Sequence, residues 1–296
     1  MNAAPDILCI GSVLWDVIGR TPRTMALGDD VPGRITRLPG GVAMNIAMAA
    51  VREGLRPILL TALGRDAAGE ALAQAARDMG MVTEHVTWSA TMPTDQYVAI
   101  EGENGLVAAI ADAHSLEHAG ESILAPLGDG RLGSVEAPYE GVIALDGNLT
   151  EELLAMIAAS PLFSRADLRI APASPGKATR LIPLLDHPGA TLYVNRIEAG
   201  LICERRFATA GEAAAGLRER GARRALVTDG SYEMAEAGPE GTHVAFPPRV
   251  PVRRVTGAGD TFMASHIAAE LRGLRGGQAL DSALRTTANY ISEAGS

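Results

Sequence analysis

Val255-Thr256-Gly257-Ala258-Gly259-Asp260-Thr261-Phe262 lies between an extended, proline-bounded run, FPPRVPVRRV, and a long helical pattern. Two glycines let the backbone turn tightly and aim successive N–H groups one way, and the helix that starts there adds its positive dipole end. Such a place suits a transferring phosphoryl group, whose equatorial oxygens carry developing charge. Asp260, in the first helical turn, is placed to accept the proton of an attacking hydroxyl. Taken alone, the same residues also read as a Gly-rich turn with an ordinary helix-start acid.

Three further stretches carry comparable chemistry. Pro39-Gly40-Gly41-Val42-Ala43-Met44-Asn45 opens a helix, and its paired glycines allow a close approach of backbone to ligand. Asn45 supplies one acceptor and two donors. Asp16 follows the first strand, so Asp16 and Asn45 together suit adjacent sugar hydroxyls at the carboxyl edge of a sheet. Val194-Asn195-Arg196-Ile197-Glu198 ends another strand with Asn195 and Glu198 three apart on one helical face. Their oxygens suit Mg²⁺ held with nucleotide phosphates, directly or through water, while a helix cap with a capping-box partner accounts for the same spacing. Val227-Thr228-Asp229-Gly230 offers a small polar ledge for nucleotide phosphates.

The elements that must position these residues are near-continuous apolar runs alternating with Ala-rich amphipathic stretches. The runs are Ile7–Ile10, Pro57–Leu63, Gly141–Leu145, Leu168–Ala171, Thr191–Val194 and Ala225–Thr228. Between them lie helical patterns at Met44–Glu53, Ala67–Met79, Glu151–Ala159, Pro175–Leu185, Glu198–Cys203 and Ala210–Gly221, with Ala258–Arg272 and Gly277–Glu293 closing the chain. This predicts an α/β fold, a doubly wound and mostly parallel sheet covered on both faces, across one domain of residues 1–296. Two segments, about 15–38 and 94–112, break the alternation. The second reads as a hairpin turning at Glu103-Asn104-Gly105. Together they predict a small β-sheet standing off the main sheet, as a lid over a substrate cleft, an edge for a homodimer, or both.

Composition narrows the function classes. The net charge of −9 excludes the basic stripe of a nucleic-acid-binding surface. No apolar run approaches the ~20 residues of a membrane span. Cys9 and Cys203 read as buried thiols of a reduced, cytoplasmic protein. The first strand leads into Gly11-Ser12-Val13 and lacks the G-x-G-x-x-G of a dinucleotide-dependent oxidoreductase. A serine hydrolase's G-x-S-x-G elbow is absent as well. His114 and His118, at helical spacing, fit a solvated face better than a metal pair.

The Gly40–Ala47 run with Gly54 and Gly64 resembles the N-terminal signature of the ribokinase-like (PfkB) carbohydrate kinase family. Gly257-Ala258-Gly259-Asp260 resembles its C-terminal signature, and Asn195 with Glu198 its N-x-x-E magnesium motif. The resemblance implies an α/β domain with a β-lid, ATP and Mg²⁺, and a small-molecule nucleoside or sugar substrate. It makes Asp260 the base and Gly257, Ala258 and Gly259 an anion hole. It puts Asp16, Gly40, Gly41 and Asn45 on acceptor hydroxyls and Asn195 with Glu198 on the metal–water network. Thr228 and Gly230 match a nucleotide-binding T-x-G, and Asn289 is placed near the adenine. Arg254 stands where many relatives carry a residue associated with a monovalent cation, and a guanidinium cannot ligate one.

Leu145-Asp146-Gly147-Asn148-Leu149, Ala171–Lys177 (APASPGK) and Ala109-Ile110-Ala111-Asp112 look like pseudouridine kinase segments. On that resemblance Asn148 and Asp112 join the substrate site and the product is pseudouridine 5′-phosphate. Ribose, adenosine or a ketodeoxy sugar acid remain as alternative acceptors, as does a non-catalytic sensor on the same fold. Asp260 is expected to have the low basicity of a carboxylate with a reference pKa of about 3.9. Positioning and charge stabilisation are then expected to supply most of the rate.

Overall fold

The structure, a computed structural model, describes residues 6–293. The chain runs β1 (Ile7–Ile10), β2 (Leu14–Arg20), β3 (Arg34–Gly40), α1 (Val42–Arg52), β4 (Pro57–Leu60), β5 (Ala62–Gly64) and α2 (Ala67–Asp78). There follow β6 (Thr87–Ser89), β7 (Gln96–Gly102), β8 (Gly105–Asp112), α3 (His114–Ala119) and α4 (Ala125–Gly128). Next come β9 (Val142–Asp146), α5 (Glu151–Ala159), β10 (Asp167–Ala171), β11 (Ala190–Asn195), α6 (Arg196–Ile202), α7 (Ala210–Glu219) and β12 (Ala225–Thr228). The last are β13 (Met234–Gly238), β14 (Gly241–Ala245), α8 (Ala258–Leu271) and α9 (Gly276–Ser292).

Eight strands form the main sheet in the order β14-β13-β12-β11-β10-β9-β1-β4. All neighbours from β4 to β12 pair in parallel. Because a parallel strand is covered on both faces, its residues alternate between two cores. Leu8 and Ile10 enter one with α5 and α7, while Ile7 and Cys9 enter the other with α1, α2, α8 and α9. This is the doubly wound arrangement that the apolar runs predict. The chain leaves β1 for β4 on one side and returns to β9 on the other. That reversal places a crevice between the carboxyl ends of β1 and β9.

Three local differences have physical causes. The Pro57–Leu63 run is two strands, β4 in the main sheet and β5 paired with β6. Pro175–Leu185 forms 3₁₀ turns over Pro175–Leu184, because Pro183 lies inside the segment and removes an N–H donor. The edge hairpin β13–β14 pairs antiparallel and its sequence, MAEAG…GTHVA, is rich in residues of low strand propensity. The two breaks in the alternation form a separate sheet, β3-β2-β7-β8. Among the described residues no helix is long and apolar enough to cross a membrane, and both cysteines are free thiols.

Ser265 and His266 lie buried on α8. His266 Nδ1 meets the Tyr193 hydroxyl at 2.9 Å. Tyr193 in turn accepts from Arg169 Nη1 at 2.9 Å, and Arg169 pairs with Glu270. Burial pushes His266 down to about 3; the Glu270 charge opposes the shift and Arg224 and Arg169 reinforce it. Burial alone would raise Glu270, but the Arg224 hydrogen bond and the Arg169 charge hold it at about 2. Both groups bind fewer protons folded than unfolded in acid. Their stabilisation is complete above about pH 6.5 and is lost as pH falls towards 3 for His266, and from about 4.5 towards 2 for Glu270. Denaturant titrations between pH 7 and 5 should show a slope of up to about 1.4 kcal/mol per pH unit from the histidine proton. His266→Gln should remove that contribution; equal slopes in both proteins would rule it out.

Candidate active site

Asp16 stands on β2 with its carboxyl against Gly40, the residue before the turn into α1. Burial pushes its carboxyl up to about 6. Gly40, near it on β3, leaves the room this carboxyl occupies, since a Cβ at position 40 would run into it. Gly41 begins α1 at φ 93, a left-handed conformation, and a Cβ there would meet the Ser12 carbonyl. The turn is fastened by Ser12: its Oγ accepts from Val42 N at 2.9 Å and its carbonyl from Met44 N at 3.3 Å. One turn into α1, Asn45 Nδ2 donates to Asp260 Oδ2 at 3.0 Å, although 215 residues separate the two.

Asp260 sits in the first turn of α8, whose N-cap Gly257 is left-handed at φ 77. The Tyr290 hydroxyl, donating to the Thr256 carbonyl at 2.9 Å, holds this entry turn in place. Burial pushes Asp260 up to about 7; the Asn45 bond opposes the shift, and the nearby Asp146 and Glu198 carboxylates add to it. The low basicity expected from the sequence is therefore corrected. An acid poised near neutrality is a far better proton acceptor than one near 4.

Asp260 and Gly259 share a cavity of about 130 Å³ with Asn195, Glu198, Thr228 and Tyr193. The Asn195–Glu198 spacing is a capping box: Glu198 N donates to Asn195 Oδ1 at 2.9 Å and Asn195 N to Glu198 Oε2 at 2.8 Å. The cap does not exclude a second role, because both residues also line the cavity. Burial raises Glu198, with the Asn195 bonds opposing. Among the described residues no group of three or more His, Cys, Asp or Glu side chains could hold a metal ion alone. The oxygen donors fit Mg²⁺ carried with nucleotide phosphates and reached through water. Thr228, the register partner of Asn195, lines the cavity, Asp229 is taken up by Arg196 at 2.8 Å, and Gly230 follows outside the cavity lining. A larger cavity, about 420 Å³, opens at the amino edge of the sheet. Its arginines 169 and 224 are already paired with Asp167, Glu236 and Glu270, so the smaller cavity is the better seat for chemistry.

The remaining expected residues divide. Asn148 joins the crevice through its Nδ2, which donates to Ser12 Oγ at 2.9 Å and to Asp146 Oδ2 at 3.2 Å. Asp112 does not join it: it shares the register of Trp15, on the sheet face opposite Asp16, and bonds His114 Nδ1 at 2.8 Å in solvent. Asn289 is exposed on the last turn of α9, beside the loop that Tyr290 and Ile291 hold. Arg254 stacks on Tyr290, its guanidinium carbon 3.6 Å from the ring centroid. Ser12 and Asp146 had no assigned role from the sequence. Asp146 is fully buried and accepts from Ser12 N, Ser12 Oγ, Asn148 N and Asn148 Nδ2. Their place just beyond β1 and at the end of β9, either side of the reversal, is the signal that could have found them.

The pfkB family carbohydrate kinase model matches residues 4–296. The chain belongs to that family. It is 29% identical to the pseudouridine kinase of Escherichia coli (strain K12) over 276 residues, 89% of this chain and 83% of that protein. Among solved structures, a carbohydrate kinase from Agrobacterium tumefaciens matches with TM-score 0.80 at 26% identity, covering 96% of this chain and 90% of its own. Arabidopsis thaliana ribokinase complexed with ribose and ATP matches with TM-score 0.80 at 20% identity over 99% and 95% of the two chains. This pfkB protein is therefore an ATP-dependent kinase of a sugar or nucleoside. Removing the Asp146 carboxylate from its four donors should cost roughly 2–4 kcal/mol, because buried donors are left unpaired. Chemical denaturation of Asp146→Ala should show that loss, and Asn289→Ala, on the surface, should change stability by less than about 0.5 kcal/mol.

Proposed function

We propose that this kinase phosphorylates pseudouridine at its primary hydroxyl, giving pseudouridine 5′-phosphate. The observation carrying the acceptor is the match to the Escherichia coli pseudouridine kinase over most of both chains. It is supported by the Asp146–Asn148 segment, which the sequence likens to that subfamily and which stands at the crevice. Asp16 and Asn45, with the amides of Gly40 and Gly41, hold the sugar hydroxyls. Asn45 also aims Asp260, which takes the proton of the attacking hydroxyl as the bond to the γ-phosphorus forms and the bond from that phosphorus to the bridging oxygen of the leaving ADP breaks. The Gly257, Ala258 and Gly259 backbone meets the equatorial oxygens of the transferring group. Thr228 and Gly230 carry the nucleotide phosphates, and Asn289 borders the adenine. Asn195 and Glu198 would hold, through water, a Mg²⁺ bound with those phosphates, which would supply charge neutralisation. Arg254, stacked on Tyr290, offers no side-chain oxygen to a monovalent cation, which puts dependence on such a cation in doubt.

The separate sheet acts as a lid and as the contact of a homodimer. By register, Ile35, Val98, Ile100 and Ile110 share one of its faces, exposed at 75%, 41%, 42% and 72%. That is a continuous apolar strip which a second copy of the chain would cover. Free thiols at Cys9 and Cys203 agree with work in the cytoplasm.

ADP release should be followed with Mg·ATP and pseudouridine, uridine, adenosine, ribose or fructose 6-phosphate. Turnover is expected with pseudouridine foremost; preference for another compound would discard that acceptor and keep the kinase. Asp260→Asn should lose about three orders of magnitude or more in kcat while still binding ATP. The kcat/KM profile should rise with pH through about 7, the value to which burial brings Asp260. Asn45→Ala, removing the bond that lowers that value, should move the rising limb to higher pH. A limb unmoved by Asn45→Ala would take Asp260 out of the role of base.

A further inference from the structure

Lysine occurs once in the chain, at Lys177, against twenty-five arginines. A chain that uses guanidinium at every other basic position keeps one compact ammonium, and the two groups are not equivalent. Arginine presents a planar fork; lysine is a point charge with three rotatable donors. Lys177 lies in the 3₁₀ turns of Pro175–Leu184, just after the end of β10, where Ala171 and Pro172 line the active-site cavity. Its Nζ reaches across 29 residues to Asn148 Oδ1 at 2.5 Å. That bond fixes the Asn148 amide, turning its Nδ2 onto Ser12 Oγ and Asp146.

The neighbouring cations are committed. Arg180 donates to the carbonyls of Asn148 and Leu149, and Arg196 pairs with Asp229. Lys177 is half-buried, makes no ion pair among the described residues, and spends one donor on Asn148. Two ammonium donors therefore remain at a crevice that also holds Asp16, Asp146 and Asp260. The reacting hydroxyl falls to Asp260 and Asn45, and the sugar hydroxyls to Asp16. The part of the acceptor left for Lys177 is its non-reacting end.

We propose that Lys177 is a specificity-determining residue of the acceptor site, held by Asn148 so that its ammonium donates to oxygens on the non-reacting end of the acceptor. The carbonyl edge of a pyrimidine base is the chemical class it fits; a bare sugar has no such edge. This rests on the nucleoside reading above.

The test compares wild type with Lys177→Met, which keeps the apolar stem and removes the charge. With pseudouridine, the acceptor KM should rise about tenfold or more, the loss expected for hydrogen bonds from a charged group. The KM for ATP and the melting temperature should stay close to wild type, and the KM for ribose should not change. The single lysine also permits a chemical test. Acetylation by an amine-reactive reagent should inactivate the wild type, pseudouridine should protect and Mg·ADP should not. Lys177→Arg treated identically should keep its own untreated activity, which separates Lys177 from the N-terminal amine. An acceptor KM within twofold of wild type in Lys177→Met, an equal rise for ribose and pseudouridine, or full activity after acetylation overturns the role. Wild-type turnover with an unaffected Lys177→Met counts against Lys177 alone. No wild-type turnover with any pyrimidine nucleoside sinks the acceptor reading and this role with it.

Discussion

At the end of the central strand β9, the buried carboxylate of Asp146 accepts four hydrogen bonds from Ser12 and Asn148. Three separate pieces of chain depend on it: the turn after β1, the start of α1 through Ser12, and the loop after β9. Burial raises its carboxyl, while those four donors act to keep it charged. A charge enclosed this way is tolerated only when its acceptors are filled, so each donor is held where the carboxylate needs it. Gly11 is part of the same constraint, since a Cβ there would occupy the space of the Asp146 side chain. The edge of the crevice at the end of β1 is thus fixed from beneath, by a residue that accepts hydrogen bonds.

The reactive edge is set by helix α8, which carries two carboxylates in opposite circumstances. Asp260 at its start is surrounded by other carboxylates and one amide, and burial brings it to about 7. Glu270, near its end, is bracketed by Arg169 and Arg224 and is held at about 2. The same helix therefore offers a proton acceptor at the carboxyl edge of the sheet and a structural anion at the amino edge. Between them Tyr193 lines the active-site cavity with its ring and joins the ionic cluster through its hydroxyl. A carboxyl raised towards neutrality and one held ionised are two states of one residue type, separated by what surrounds each.

Much of the architecture was legible because parallel strands covered on both faces must be apolar throughout, and the turns after them are rich in glycine. Ile7–Ile10, Ala225–Thr228 and Glu151–Ala159 have the bounds that the sequence suggests. The antiparallel edge β13–β14 was not legible, because Met234–Gly238 is mostly alanine, glutamate and glycine and is made a strand by its neighbours. The Asn-Gly hairpin was legible from local turn chemistry, yet which lid residues face the crevice depends on cross-strand register. That register turns Asp16 inwards and Asp112 away.

Local sequence determined where helices begin, where glycines permit a turn and which side chains are able to hold phosphate or accept a proton. For the Asn195–Glu198 pair the sequence offers two readings, a helix cap and a Mg²⁺–water network; the structure forms the cap and sets both residues in the wall of the cavity. What only the tertiary structure decided was how those side chains meet and what that meeting does to them. Asn45 and Asp260 are joined across 215 residues, and Ser12 and Asp146 across 134. The shift of Asp260 towards neutrality comes from burial and two carboxylates brought near it by the fold, against the opposing Asn45 amide. Hydrogen-bond distance, burial and charge proximity are properties of space, and a chain's order fixes them only after it has folded.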